Sequence, residues 1–236
     1  MLTNDSMRVW LVTIGEPLPT DGSQERLLRT GILAEQLSQN GHQVHWWTSS
    51  FDHFRKQQRT RCDMRVTIGE GYDISLLAAN SYSRNVSLRR IANHREITRK
   101  FNAQAQLEPS PDVIVCSWPL IELCAAAVRF GKSRGVPVVL DLRDMWPNAV
   151  VDLSPRVLRP VAKLALSKSF RDAKFAASGA TAITGITENI VDWGMQFASR
   201  PRSTADCAFP MGYQSKSFSN ESLQAEIGRA SCRERV

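Results

Sequence analysis

The 236-residue sequence predicts an α/β fold with a doubly wound parallel sheet, for two reasons. Short apolar runs such as Val136–Leu140 lack polar alternation, which is typical of strands buried on both faces. Longer segments with apolar residues at helical spacing lie between these runs. Strands that alternate with helices in this order build parallel sheets with helices packed on their faces.

The first half of the chain supplies the opening strands. Arg8–Ile14 is predicted as a strand and Gln24–Gln39 as a helix, which ends at Asn40 and Gly41 because glycine tolerates a left-handed C-terminal cap. The elements predicted next are strands at Val44–Thr48, Met64–Ile68 and Ile74–Leu77, a helix from Ser87 to about Leu107, and a strand at Asp112–Cys116.

The second half continues the alternation of strands and helices. Ser154 and Pro155 suit the cap and first turn of a helix that runs towards Ala177. The full set of elements predicted here is a helix at Pro119–Arg134 closed by Gly135, the strand Val136–Leu140, the helix after Ser154, a strand at Thr181–Thr184, a helix at Thr187–Trp193 ended by Gly194, and a last edge at Cys207–Pro210.

Charge and composition limit the class of protein. The net charge of +7 and the pI of about 9.5 favour an anionic partner, which leaves phosphates, nucleic acid and an acidic membrane face open. The apolar stretches are shorter than the ~18 residues of a membrane span, and Met1–Met7 is polar, so we expect a cytoplasmic protein. The five cysteines form no CxxC pair and are expected to be reduced thiols.

Several catalytic signatures are missing from the sequence. There is no HExxH or similar ligand spacing, so we expect no metal site. There is no GxSxG elbow, GxGxxG or Walker motif, which argues against a serine hydrolase, a dinucleotide dehydrogenase and a P-loop NTPase. The basic residues are not interleaved with aromatic stacking platforms, so nucleic-acid binding is not expected.

The strongest candidate site follows the strand Val136–Leu140. Asp141, Arg143 and Asp144 come where that strand ends, and ligands of open α/β sheets bind beyond the carboxyl ends of strands. The alternative is a structural ion pair with Trp146 in the core, and Asp141 is the residue of the three that we expect to be structural.

Five segments, taken together and in order, resemble the N-terminal half of a family 4 glycosyltransferase of the kind that builds bacterial surface polysaccharides. These segments are RVWLVTIGEPLPTDG, GHQVHWWTSSFDHFRK, the strand with DLRDMWP, TAITGITENIVDWG and FPMGY. The resemblance implies the GT-B architecture, in which two Rossmann-like domains face each other across a cleft. It also implies that the N-terminal domain holds the acceptor, that the C-terminal domain holds the nucleotide sugar, and that hexosyl transfer retains the anomeric configuration.

The resemblance also implies roles for individual residues. The loop from Gly15 to Ser23, with Asp21 and Gly22, would approach the donor phosphates through backbone N–H groups, helped by the dipole of the following helix. Relatives often carry two adjacent glycines there, whereas this chain has Gly22 followed by Ser23. The alternative is a turn built from Pro17, Pro19 and Asp21.

For the reaction itself, Asp144 would orient an acceptor hydroxyl or the sugar ring, and Arg143 would face the diphosphate. Arg55, Lys56 and Trp118 are the predicted contacts to the acceptor or its phosphates. We expect no permanently bound cofactor and a nucleotide sugar as donor substrate.

The domain prediction assigns 1–213 to the acceptor-side domain and 214–225 to the start of an interdomain linker. The stretch 226–236, EIGRASCRERV, resembles the in-frame translation of a widely used DNA-sequencing adapter and is expected to be non-native. The donor domain is therefore expected to be missing from this sequence, and the fragment to be inactive alone.

Two functions remain open. The first is the acceptor-binding half of a transferase that acts on a lipid-linked or glycan acceptor and docks at the inner face of the cell membrane through three basic clusters. The second is a non-catalytic membrane- or anion-binding module that recruits a partner subunit. The clusters comprise Arg55, Lys56, Arg59 and Arg61; Arg89, Arg90, Arg95, Arg99 and Lys100; and Lys163, Lys168, Arg171 and Lys174.

Overall fold

A sheet of seven strands forms the centre of the structure, a computed structural model that describes residues 6–22, 26–84 and 87–212. In chain order the strands are β1 (Arg8–Val12), β2 (Gln43–Ser49), β3 (Phe51–Asp52), β4 (Gln57–Gln58), β5 (Met64–Gly69), β6 (Tyr72–Leu77), β7 (Val113–Ser117), β8 (Val138–Leu142) and β9 (Ala182–Gly185). The sheet order is β5, β6, β2, β1, β7, β8, β9, while β3 and β4 form a separate hairpin. Every neighbouring pair in the sheet is parallel except β5 with β6.

Helices cover both faces of this sheet. They are α1 (Arg29–Gln39), α2 (Leu88–Gln104), α3 (Ile121–Arg134), α4 (Asn148–Leu153), α5 (Arg159–Ala165), α6 (Ser167–Gly179) and α7 (Glu188–Ala198). One apolar core contains Ala34 of α1, and the other contains side chains of α2, α3, α6 and α7. The structure thus confirms the predicted doubly wound α/β architecture, with β5 as an antiparallel edge.

The chain reverses its direction of winding between β1 and β7. The connection after β1 runs through α1 to β2, whereas the connection after β7 runs through α3 to β8 on the other side. Adjacent loops therefore diverge at the carboxyl ends of β1 and β7 and leave a crevice there, which is where open α/β sheets bind ligands.

Local sequence signals explain several helix ends. The Ser87 hydroxyl accepts a hydrogen bond from the Arg90 N–H at 3.2 Å and so caps α2. Thr187 caps α7 in the same way, by accepting from the Ile190 N–H at 3.4 Å. Gly135 ends α3 in the left-handed region, at φ +68°, as the sequence predicted.

Three predicted helices differ from those observed. The helix predicted at Gln24–Gln39 begins only at Arg29, because Leu28 before it is extended. Helix α7 continues through Gly194 to Ala198, because Gly194 lies against the Leu142 and Ile183 side chains and allows close packing of the helix on the sheet. The helix predicted from Ser154 towards Ala177 is divided into a 3-10 turn, α5 and α6. Pro155 precedes the 3-10 turn, and Pro160 lies in the first turn of α5.

Several strand and loop boundaries also differ from the predicted ones. Strand β8 lies two residues later than predicted, so Asp141 belongs to the strand itself and is 3% exposed. The predicted basic loop after β2 contains the hairpin of β3 and β4, and the predicted edge at Cys207–Pro210 is one parallel bridge between Gly185 and Ala208. The predicted linker and the tail lie outside the described residues. No helix in the described ranges has the length and apolarity to cross a bilayer.

The segment after α7 is fastened to the sheet by Asp206. Its buried carboxylate accepts from Arg200 Nη1 and Nη2, both at 2.7 Å, and from the Ile183 N–H at 2.8 Å. The hydrogen bonds from Arg200 outweigh burial and hold the pKa of Asp206 well below its usual range. This anchor places the Phe209 carbonyl near the carboxyl edge of the sheet, where the Phe209 N–H donates to Gly185.

We predict that Gly131→Ala destabilises the protein, although alanine normally favours a helix interior. A Cβ at Gly131 would contact the Val138 side chain and lie 2.7 Å from the Val136 carbonyl oxygen, which is backbone and cannot rotate away. We expect a loss of about 2 kcal/mol in the free energy of unfolding, measured by urea denaturation. Gly69→Ala is the control because its Cβ would meet no atom within 4 Å. Equal stability of the two variants would contradict this packing argument.

Candidate active site

A row of polar side chains crosses four strands where those strands reach their carboxyl ends. The register pairs Ser117 with Asp141 and Asp141 with Thr184, and Thr13 Oγ1 donates to Ser117 Oγ at 2.7 Å. Residues paired in register project from the same face of a sheet, so these four side chains share one face. Thr13 and Ser117 lie on either side of the switch point between β1 and β7, and the row therefore lines the floor of the crevice.

Asp141 is the centre of this row. Its carboxylate accepts from Arg29 Nε and Nη2, both at 2.9 Å, from Arg143 Nε at 2.8 Å, and from Thr184 Oγ1 at 3.1 Å. Burial alone would raise the pKa of Asp141, but the charges of Arg143 and Arg29 hold it below its usual value. Asp141 is thus an ionised carboxylate between two guanidinium groups.

Glu16, in the loop after β1, supplies the second buried carboxylate. It accepts from Arg143 Nη1, from the Thr30 N–H at 3.0 Å and from the Thr30 hydroxyl at 2.7 Å. Arg143 Nη2 in turn donates to Thr30 Oγ1 at 2.8 Å. Burial would lower the pKa of Arg143, but Glu16 and Asp141 raise it. The charged network of Glu16, Arg29, Asp141 and Arg143 therefore contains two negative and two positive charges.

Helix α1 begins at this network. Thr30 stands in the first turn of α1, where backbone N–H groups have no partner within the helix. The Glu16 carboxylate engages one of these N–H groups and places a negative charge at the positive end of the helix dipole. Glu16 thus engages one N–H group of the helix end that the sequence analysis had assigned to a donor phosphate.

Arg143 and Asp144, the two predicted catalytic residues, have different surroundings. The Arg143 side chain is 18% exposed and is turned into the charged network. Asp144 is half-buried and makes no hydrogen bond or ion pair with any residue in the described ranges. Its carboxylate oxygens therefore have no partner among the described residues.

Asp21 lies within an ion pair of its own. Arg59 Nε and Nη2 donate to its two oxygens, both at 2.5 Å, and the Leu18 N–H donates at 2.8 Å. Burial would raise the pKa of Asp21, but the hydrogen bonds and charge of Arg59 lower it. The Asp21 N–H also donates to the Leu18 carbonyl at 3.0 Å, so this part of the loop is a turn closed by Asp21.

The other predicted ligand contacts are placed as follows. Gly15 and Gly22 adopt positive φ angles of +80° and +132°, which favour glycine. Ser23 lies outside the described residues. Trp118 is 1% exposed, and its indole N–H donates to the Trp146 carbonyl at 2.9 Å, so its ring is enclosed in the core rather than presented to the crevice.

A second group of side chains, here named the Tyr82 cluster, consists of His53, Lys56, Tyr82 and Arg90. His53 Nδ1 lies 2.8 Å from the Tyr82 hydroxyl and 3.3 Å from Lys56 Nζ. The Lys56 ammonium and the Arg90 guanidinium lie 5.1 Å and 5.9 Å from the centre of the Tyr82 ring. Positive charge is therefore concentrated around one aromatic ring.

The two histidines near these cations, His53 and His94, have lowered pKa values. Burial, and then the charges of Lys56 and Arg90, lowers the pKa of His53. Burial and Arg90 lower the pKa of the neighbouring His94 to about 3. Both histidines are thus neutral near pH 7.

Arg55, which was predicted to contact the acceptor or its phosphates, lies beside the cluster. Its Nη1 is 3.5 Å from Asp52 Oδ2 and 3.4 Å from the Asp21 carbonyl oxygen.

Sequence reasoning named Asp141 and Arg143 but missed Glu16 and Arg29, the other two members of the charged network. The four strand ends do carry a signal, because each buried apolar run ends in a polar residue of the row. No comparable signal marks Glu16 or Arg29, since the charged partner of each lies more than a hundred residues away in the chain. Within the described ranges, no three His, Cys, Asp or Glu side chains are grouped as metal ligands.

Comparisons with known proteins identify the family. A model of the glycosyl transferase 4-like domain matches residues 28–194. The structure of HepE from Anabaena with UDP and glucose is 12% identical, with a TM-score of 0.50, and the match covers 95% of this chain and 51% of HepE. MurG from Acinetobacter baumannii is also 12% identical, with a TM-score of 0.42, and the match covers 89% of this chain and 47% of MurG. The chain thus spans about half the length of these proteins. No curated protein gives a significant match.

We predict that Asp141→Asn costs about 3–5 kcal/mol of unfolding free energy, because it leaves two buried guanidinium groups without their shared carboxylate. Asp144→Asn is the matched control, since Asp144 has no partner among the described residues. The control is expected to change stability by less than about 0.5 kcal/mol.

The pH dependence provides a second measurement. A carboxylate whose folded pKa is lowered stabilises the fold above its unfolded pKa of about 3.9, and this stabilisation is lost as the pH falls through the folded value. As the pH falls below about 4, the free energy of unfolding should therefore decrease more steeply for the wild-type protein than for Asp141→Asn. Parallel curves for the two proteins would show that Asp141 is not a paired carboxylate.

Proposed function

Because the matched domain covers residues 28–194, this chain belongs to the family 4 glycosyltransferases, and we propose that it is the acceptor-binding half of such an enzyme. The enzyme would move a sugar from a nucleotide sugar to a lipid-linked or glycan acceptor in surface-polysaccharide synthesis. The observation that carries the proposal is the Asp144 carboxylate, which has no partner among the described residues and lies beyond the carboxyl end of β8.

Sugar transfer needs an acceptor hydroxyl held in line with the sugar carbon that it attacks, and this positioning is a large part of the catalysis. Asp144 suits that task because it follows β8 directly and its carboxylate can accept the proton of a hydroxyl. It would orient the acceptor hydroxyl or the sugar ring.

Arg143 has a supporting role in this proposal. It donates to Asp141, Glu16 and Thr30, and these bonds fix the backbone that carries the adjacent Asp144. Arg143 would therefore act first as a positioning residue. Its positive charge would also favour the diphosphate at the mouth of the crevice.

The Tyr82 cluster is the proposed subsite for phosphates of the acceptor. Its loops follow β2 and β6, so the cluster lies at the same carboxyl edge as the charged network. The ammonium of Lys56, the guanidinium of Arg90 and the hydroxyl of Tyr82 provide the donors that phosphate oxygens accept. Arg55 would add a further positive charge at its rim.

The donor side of the reaction would come from a second domain. HepE was solved with UDP and glucose, which supports a nucleotide sugar as the donor class here. Because the chain spans about half of HepE, we propose that the chain alone transfers no sugar. The family resemblance implies that transfer in the complete enzyme would proceed with retention. The protein would act in the cytoplasm, at the inner face of the cell membrane.

The decisive variant is Asp144→Asn in an enzyme that also contains the donor-binding half. We expect the transfer rate to fall more than about tenfold, because the amide accepts a proton poorly, while the melting temperature stays unchanged. Transfer is measured as nucleoside diphosphate released from the nucleotide sugar. Ser154→Ala, in the loop after α4, is the control. A normal rate for Asp144→Asn would favour the alternative, a non-catalytic module that recruits a partner.

The phosphate subsite is tested by binding of inorganic pyrophosphate to this chain. Lys56→Ala combined with Arg90→Ala should weaken binding by about tenfold or more, since two charged donors are lost. Arg99→Ala is the control, because Arg99 is exposed on the same helix. Titration calorimetry gives the affinities. Equal affinity of the double variant and the control would place the phosphates elsewhere.

A further inference from the structure

The two edge strands of the sheet, β9 and β5, have different surroundings. At β9 the segment after α7 runs beside the strand, since Gly185 bridges to Ala208 and the Ile183 N–H donates to the Asp206 carboxylate at 2.8 Å. At β5 the strand pairs with β6 on one side, and no described residue hydrogen-bonds to its backbone on the other side. Backbone N–H and C=O groups in such a row are ready to pair with another strand.

Strand β5 lacks the residues that usually keep an edge strand from pairing. Its sequence, MRVTIG, contains no proline and no lysine. The irregularity in its register lies between Thr67 and Gly69, at the end next to the turn, so the strand is regular before it. Its charged residue, Arg65, donates to both oxygens of Glu108 and to Asp73 Oδ2, each at 3.0 Å. The edge therefore presents no uncompensated positive charge.

Apolar side chains border this edge. Met64, Val66 and Ile68 project from one face of β5, where Val66 and Ile68 pack on the core and Met64 is 44% exposed. Leu107, the residue before Glu108, is 85% exposed. Exposed apolar side chains beside an unpaired strand edge indicate a contact surface.

Symmetry makes β5 complementary to a second copy of itself. When two identical strands pair antiparallel about a two-fold axis, residues from the same face of the strand oppose each other. The apolar residues of β5 would then form cross-strand pairs with those of the second copy, which stabilise a sheet. A two-fold axis at Val66 places Arg65 opposite Thr67 of the second copy rather than opposite another arginine, so like charges do not meet.

We propose that this protein forms a symmetric dimer in which the β5 strands of two copies pair antiparallel and join their sheets into one continuous sheet. The second copy would supply partners for the outer backbone groups of β5 and would cover Met64 and Leu107. Strands β6 and β2 separate β5 from β1, so the pairing involves neither Asp144 nor the charged network. The inference is therefore independent of the proposed function.

Sedimentation velocity of the 236-residue chain, over about 1 to 100 µM, tests for the dimer, and we expect a monomer–dimer equilibrium in this range. Met64→Lys combined with Leu107→Lys should weaken dimerisation by at least about tenfold, because each copy then brings two new positive charges to the contact. Both side chains are exposed, so the fold should be unchanged, as circular dichroism and the melting temperature will verify.

The matched control combines Val157→Lys with Leu164→Lys. These side chains are 83% and 77% exposed in the segment between β8 and α6, so the control adds the same charge away from β5. The control should dimerise as the wild type does. A control that loses the dimer while the β5 variant keeps it would overturn the proposal, because the contact would then lie on another surface.

Hydrogen exchange tests whether the two strands pair through their backbones. Amides of Met64–Ile68 that point away from β6 should exchange more slowly at about 100 µM than at about 1 µM in the wild type, and equally at both concentrations in the β5 variant. A dimer whose β5 exchange does not depend on concentration would overturn the proposal. A wild-type chain that stays monomeric over the whole range would also overturn it.

Discussion

The buried Asp141 carboxylate is the interaction on which the candidate site depends. A charge removed from water is tolerated only when partners compensate for its lost hydration, and here Arg29 and Arg143 do so from two directions. Arg29 also donates to the Phe209 carbonyl at 2.6 Å, while Arg143 reaches Glu16. One carboxylate thus connects β8 with the first helix, the loop after β1 and the segment that follows the last helix.

Neutrality of the charged network has a functional consequence. The two carboxylates form hydrogen-bonded ion pairs with the two guanidinium groups, and these pairs hold the floor of the crevice in one arrangement. Groups that are already paired have little remaining capacity to bind a ligand. In the proposed function, the groups that would bind the substrates are therefore Asp144 on one side and the Tyr82 cluster on the other. A rigid, neutral floor with reactive groups at the rim is a suitable support for chemistry that depends on positioning.

The order of strands and helices was predictable from sequence because it depends on local patterns, namely buried apolar runs, helical spacing and a glycine such as Gly135 at a helix end. The site was predictable only in part. Asp141 was expected to be structural and does lie inside β8, but its pairing with Arg29 spans 112 residues and leaves no local trace. Gly194 was misread for a related reason, since a glycine that permits close packing looks in sequence like one that ends a helix.

The carboxyl edge of the sheet links the two parts of the proposed site. His53, Lys56 and Tyr82 follow β2 and β6, and Asp144 follows β8, so the proposed phosphate subsite and the proposed acceptor-orienting carboxylate lie at the same edge. An acceptor whose phosphates were held by the Tyr82 cluster would therefore have its reactive end directed along this edge towards Asp144. This arrangement requires neither carboxylate of the charged network to contact the acceptor, because Glu16 and Asp141 are buried and already paired with arginine side chains.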